Sequence, residues 1–216
     1  MPIDNSDGDW MPEIQRNMPK NKSLVVTTSL YANNINQNML SMFIKNKFYQ
    51  CEAKYIEIDR QKLTEKEFDF LVGRGNVESC SLREVQILKD DGQSLLIEEI
   101  MAKMPKLTDF SSFFINVTNE SLEKLQQLSF QNKLLNCQFQ GVHNDTVTAQ
   151  AFCDFIVKNY TPLSTFALCF ARGVTTHLFI INLRISMQQL VNNQWKTAES
   201  KPKIIISPDE SPVPLI

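Results

Sequence analysis

Leu134-Leu135-Asn136-Cys137-Gln138-Phe139-Gln140 carries apolar side chains at its first, fourth and sixth positions and amides at its third, fifth and seventh. That alternation is the signature of a strand with one face buried and one face polar. The same 1-4-6 apolar spacing recurs at Ala53/Ile56/Ile58, Leu82/Val85/Ile87, Leu107/Phe110/Ser112 and Leu163/Phe166/Leu168. The starts of the five runs are separated by 29, 25, 27 and 29 residues. Leu24-Val25-Val26-Thr27-Thr28 extends the series backwards, and Lys203-Ile204-Ile205-Ile206 extends it forwards after a longer interval.

A helical pattern follows each run. Met39, Met42 and Phe43 form a stripe within residues 36–45. Thr64-Glu65-Lys66-Glu67 reads as a capping box ahead of Phe68, Leu71 and Val72. Ser94 is the expected cap of a helix carrying Ile97, Ile100, Met101 and Met104, which Pro105 ends. Thr118 or Asn119 is placed to cap Leu122, Leu125 and Leu128, and Asp145 or Thr146 to cap Ala149, Phe152 and Ile156. Ile180, Leu183, Met187 and Leu190 recur at helical spacing over residues 176–191, although 177–186 also tolerates a strand.

Strand followed by helix at this period means parallel strands joined by helical crossovers. A doubly wound domain makes its strands apolar on both faces. A solenoid leaves one sheet face open. The second set of strand positions decides between them. It reads Tyr55/Glu57/Asp59, Glu84/Gln86/Leu88, Asp109/Ser111/Phe113, Asn136/Gln138/Gln140 and Thr165/Ala167/Cys169. Most of these are polar, so the expectation is an α/β solenoid with helices on one face. It spans residues 23–200, between a flexible tail at 1–22 and a Pro-rich tail at 201–216.

The 1-4-6 spacing, the period and Met104-Pro105-Lys106-Leu107-Thr108-Asp109-Phe110 resemble leucine-rich repeats with a helical convex side, over roughly residues 50–172. Where many such repeats carry an Asn or Cys ladder, this chain has Gln61, Asp90, Ile115, Val142 and Ala171. Its backbone must close its hydrogen bonds differently there. More narrowly, Asn76-Val77-Glu78-Ser79-Cys80-Ser81-Leu82, Asp91-Gly92-Gln93-Ser94-Leu95-Leu96-Ile97-Glu98-Glu99-Ile100 and Pro105-Lys106-Leu107 resemble the repeat region of nematode F-box-associated proteins. The resemblance implies substrate recognition for an SCF-type ubiquitin ligase, with the ligase adaptor as a further partner. Residues 1–22 are too short to hold an F-box, so the repeat domain is expected without its adaptor-binding module.

Composition narrows the functions. The 216 residues carry a net charge of −2 and include only 6 Gly and 2 His. No glycine-rich phosphate loop of either common kind occurs. Gly73-Arg74-Gly75-Asn76 follows a helix, whereas an anion-binding loop precedes one. His143 and His177 are too few for a multi-His metal cage, and the charge balance gives no basic footprint for nucleic acid. No stretch is apolar and long enough to cross a membrane, and no secretory segment is evident. Cys51, Cys80, Cys137, Cys153 and Cys169 are odd in number and sit mostly in apolar runs. They read as free, buried thiols of a cytoplasmic or nuclear protein.

The expected role is protein–protein recognition without catalysis, cofactor or metal. The candidate contact residues are Tyr55, Glu57, Asp59, Glu84, Gln86, Leu88, Asp109, Ser111, Phe113, Asn136, Gln138 and Gln140. Their acidic members suit a basic partner. Two other readings stay open. One is a compact α/β enzyme using Asp59, Asp90, His143 and Arg172 at the C-terminal strand ends. The other is a degenerate paralogue without a partner.

Overall fold

The computed structural model describes residues 24–33, 36–113, 117–143, 145–171, 173, 176–195, 197 and 201–208. The N-terminal tail assigned to 1–22, the residues from 209 onward, Ile115 and Arg172 lie outside them.

The chain is α/β, built on a seven-stranded parallel sheet. Its strands are β2 (Ser29–Asn33), β4 (Tyr55–Asp59), β6 (Ser79–Arg83), β8 (Asp109–Phe113), β9 (Asn136–Val142), β10 (Thr165–Phe170) and β11 (Lys203–Pro208). They lie side by side in chain order, with β2 and β11 at the two edges. One helix occupies each crossover: α1 (Met39–Asn46), α2 (Glu65–Val72), α3 (Ile97–Ala102), α4 (Asn119–Gln127), α5 (Ala149–Asn159) and α6 (His177–Gln194). Two further parallel pairs stand apart from the main sheet. They are β1 (Leu24–Val26) with β3 (Phe48–Cys51), and β5 (Lys62–Thr64) with β7 (Gln86–Leu88).

The sheet forms because β2, β4, β6, β8 and most of β9 alternate, while β10 buries Phe166, Ala167 and Leu168 in succession. Ile56, Ile58, Cys80, Leu82, Phe110, Cys137, Phe139, Phe166 and Leu168 are buried on one face, in a single core cluster with the inward residues of all six helices. Phe155 of α5 illustrates the packing. Its ring lies 6.2 Å from Phe139 of β9 and 5.8 Å, edge-on, from Phe166 of β10. Such edge-to-face pairs add to the gain from burial itself.

Threonines start most of the helices. Thr64 and Glu67 form the expected capping box, with Glu67 N–H donating to Thr64 Oγ1 at 3.2 Å and Thr64 N–H to Glu67 Oε2 at 2.8 Å. Thr118 caps α4 and Thr176 caps α6, which is a continuous helix through the segment where a strand was also tenable. Two expected caps are displaced. Thr148, not Asp145 or Thr146, accepts from Ala151 N–H at α5. At α3, Ser94 instead bridges to Leu88, and Glu99 Oε2 accepts from Leu96 N–H at 2.9 Å. In α1, Leu40 and Phe43 are the buried pair, while Met42 is exposed.

Several repeat frames shift as well. Ile56 and Ile58 are in register with Cys80 and Leu82, so the second repeat reads Val77/Cys80/Leu82 rather than Leu82/Val85/Ile87. The cause is a kink. Arg60 and Glu84 each take φ 52°, at equivalent positions just past β4 and β6. The chain turns there and enters the small β5–β7 sheet. Non-glycine residues avoid this left-handed region unless the surroundings impose it. Here the bonds Arg60 N–H to Arg83 O (2.8 Å) and Gln86 N–H to Gln61 O (3.0 Å) hold the two kinks together.

At the N-terminal edge, Leu30 and Ala32 pair with Ile56 and Ile58, so Ser29–Asn33 is the edge strand and Leu24–Val26 is not. Leu163 is 87% exposed. Buried Ser164 stands beside it, donating its hydroxyl to Leu134 O at 2.5 Å. At the C-terminal edge, Lys203–Pro208 is a full sheet member paired with β10, so the domain continues past residue 200. Pro208 is tolerated because it ends an edge strand.

Gln61 fills the ladder position in one turn. It is 2% exposed. Its Oε1 accepts from Leu40 N–H at 3.0 Å, and its Nε2 donates to Asn36 O at 3.2 Å and Arg60 O at 3.1 Å. A single amide thus closes the backbone groups where α1 meets the next turn.

Candidate sheet-face interface

The polar face of the sheet falls into three rows, fixed by strand register. The first row runs Ser29, Tyr55, Ser79, Asp109, Asn136, Thr165, Lys203. The second runs Tyr31, Glu57, Ser81, Ser111, Gln138, Ala167, Ile205. The third begins Asn33, Asp59, Arg83, Phe113, Gln140. Nine of the twelve candidate residues therefore share one face: Tyr55, Glu57, Asp59, Asp109, Ser111, Phe113, Asn136, Gln138 and Gln140.

Glu84, Gln86 and Leu88 do not. Glu84 sits in the kink, and the other two are on β7 in the small sheet. The face residues of that repeat are Ser79, Ser81 and Arg83, which spacing alone missed because Leu82/Val85/Ile87 fits the same template. Tyr31 and Asn33 were also missed. The alternation in Ser29–Asn33 would have found them.

This shift changes the electrostatics. The face is not purely acidic, since Arg83 is in register with Asp59 and Lys203 lies at the β11 edge. Glu57 is exposed and Asp109 half-buried. Asp59 is only 6% exposed, with Arg60 3.4 Å from its Oδ2. Arg60 also donates to Asn33 Oδ1 at 2.9 Å. Asp59 therefore faces a guanidinium and is not a free surface charge.

The β9 row forms an amide ladder. Gln138 Nε2 donates to Asn136 Oδ1 at 2.9 Å, and Gln140 Nε2 donates to Gln138 Oε1 at 3.0 Å. On one flank, Ser111 donates to Ser81 Oγ at 2.9 Å, and the Thr108 hydroxyl donates to Asp109 Oδ2 at 2.8 Å. On the other flank, Ala167 is buried and Cys169 half-buried. Tyr31 and Tyr55 are 61% and 48% exposed at the β2–β4 end.

Of the residues named for an enzyme-like site, Asp59 is on the sheet face and Arg172 lies outside the described residues. Asp90 is exposed and paired with Lys66 at 2.8 Å, and His143 is exposed beyond β9. Among the described residues, no three or more His, Cys, Asp or Glu are grouped to hold a metal ion. A groove of about 540 Å³ lies between α6 and β11, lined by Arg184, Met187, Val191, Lys201 and Ile204 among others. Neither Asp59, Asp90 nor His143 lines it. Burial pushes the Cys80 thiol up to about 12, and the Cys137 thiol is raised for the same reason. For Cys153, burial and then the nearby Asp154 carboxylate raise it to about 11. These three thiols are poor nucleophiles at neutral pH. No described helix is long and apolar enough to cross a membrane.

No family model, no curated protein and no solved structure matches the chain.

Proposed function

We propose that this chain is a leucine-rich-repeat-like β-α solenoid that binds a protein partner on the polar face of its parallel sheet. One observation carries the reading: the seven strands follow chain order without reversal, so their outward residues make one continuous surface of aromatic, amide and charged groups. A doubly wound sheet reverses its strand order and builds its ligand crevice at that reversal. Here there is no reversal, and a surface of this kind suits an extended partner. Exposed Tyr31 and Tyr55 supply anchors of the type enriched at binding hot spots. The resemblance to F-box-associated repeats adds a finer step, in which the bound partner is a substrate presented to a ubiquitin ligase.

Affinity capture with the whole chain, read by mass spectrometry, tests both levels. The double variant Glu57→Lys/Asp109→Lys is expected to lose the partner. Glu84→Lys, off the face, is expected to keep it. Equal recovery by all three proteins overturns the sheet-face reading. Recovery of the Skp-type adaptor or a cullin with the wild type supports ligase membership, and recovery of the partner alone removes that step.

A further inference from the structure

We infer that the partner presents an extended, basic peptide segment whose main chain is gripped by the amide ladder of β9. The inference rests on the sheet-face reading and names the chemistry of its ligand.

Asn136, Gln138 and Gln140 stand two residues apart on one strand face, so their carboxamides repeat every ~6.7 Å. An extended peptide repeats its outward N–H and C=O groups at the same interval. Each carboxamide has two N–H donors and two acceptor lone pairs. The two bonds within the ladder use one N–H of Gln138, one N–H of Gln140, and one lone pair each of Asn136 and Gln138. Donors and acceptors remain on all three residues to meet a main chain. The internal bonds also hold the amides in place before a ligand arrives, which lowers the ordering cost of binding.

The flanks assign the side chains. Asp109 is in register with Asn136, one strand away on the β8 side, about 4.8 Å across. A Lys or Arg projecting sideways from a peptide over β9 reaches that carboxylate, with small Ser111 and Ser81 leaving room for its stem. Glu57, two strands further on, adds attraction at longer range. On the opposite flank, Ala167 is in register with Gln138 and is buried, so that flank contributes no charged contact. The segment that fits is therefore extended and basic on the edge that faces Asp109.

A phage-displayed random dodecapeptide library selected on the whole chain supplies the probe. The tightest selected peptide is synthesised and then remade with each backbone nitrogen methylated in turn. The expected pattern is a loss of at least about tenfold at every second residue, because alternate N–H groups face the ladder. Replacing its key Lys or Arg with norleucine is expected to cost about as much as Asp109→Asn, and the two changes together little more than either alone. Asn136→Ala/Gln138→Ala/Gln140→Ala is expected to weaken binding at least about tenfold while the far-UV circular dichroism stays unchanged.

No enriched peptide, or a methylation scan without a period of two, overturns the inference. The sheet-face reading then survives if the captured partner is still lost with Glu57→Lys/Asp109→Lys. A selected peptide indifferent to every face variant overturns both. The methylation scan uses the wild-type chain, so it stands even if the triple variant misfolds.

Discussion

Replacing Gln61 with Leu keeps the volume of a buried side chain but removes its hydrogen bonds. The side chain is 2% exposed, and Leu40 N–H, in the first turn of α1, has Gln61 Oε1 as its acceptor at 3.0 Å. Helix N-termini have no intrahelical partner for such donors. Leaving a buried donor unsatisfied costs about 1–3 kcal/mol. Asn36 O and Arg60 O also lose a donor, although each can accept from other sources. The expected total is about 2–3 kcal/mol. For a chain of this length that corresponds to a fall in Tm of about 4–12 °C. Urea denaturation followed by far-UV circular dichroism measures the free energy, and a thermal scan checks the shift. Gln127→Leu, on the exposed side of α4, is the control and should stay within about 0.5 kcal/mol of wild type. If Gln61→Leu also stays within that margin, Gln61 is not closing the backbone between turns.

Phe155→Ala removes the ring that joins β9 to β10 and should cost about 3–5 kcal/mol by denaturation, whereas Phe155→Leu should cost less than half of that. Burial alone would raise the Glu67 pKa, but the Ser41 hydroxyl, the Thr64 N–H and the Lys45 ammonium outweigh it and hold the carboxyl below its usual 4.5. Its ionised form therefore stabilises the fold at neutral pH, and that contribution is lost as pH falls from about 4.5 through the depressed value. Glu67→Gln should accordingly be less stable than wild type at pH 7, with the gap closing at acid pH. A gap that is constant with pH would contradict the Ser41–Glu67–Lys45 linkage. An aromatic disulfide reagent at pH 8 should react quickly with half-buried Cys169 only, and with all five thiols after unfolding. Rapid reaction at Cys80 or Cys137 would contradict their burial.

The α/β class and the parallel strand–helix order were legible because burial imposes a period of two on strands and a period near four on helices. Ile56/Ile58 and Cys137/Phe139 were framed correctly, as were the caps at Thr64 and Thr118. The failures have two causes. Leu82/Val85/Ile87 meets the same apolar template as Val77/Cys80/Leu82, and only the left-handed kink at Glu84 tells them apart. A kink at a non-glycine residue has no local sequence mark. Leu163 looked like a core position, yet the buried group there is Ser164, held by the carbonyl of Leu134. Hydrophobic patterning cannot find a core residue that is polar and satisfied.

The same limits shaped the view of the face. Asn136, Gln138 and Gln140 were visible as alternating amides, but not as a bonded ladder. Glu84 was assigned the place that Ser79 occupies, and Arg83 was not placed on the face, which made the face look more acidic than it is. Gln61 was noted at the ladder position without its role, because an amide that spans three backbone groups is a property of neighbouring turns and not of its own segment.

The most direct test of the central claim is amide hydrogen exchange on the chain alone and on its complex with the captured partner. Binding on the sheet face predicts new protection in β4, β6, β8 and β9, with the helices α2 to α5 unchanged. Protection confined to the helices, with those strands unaffected, would contradict it.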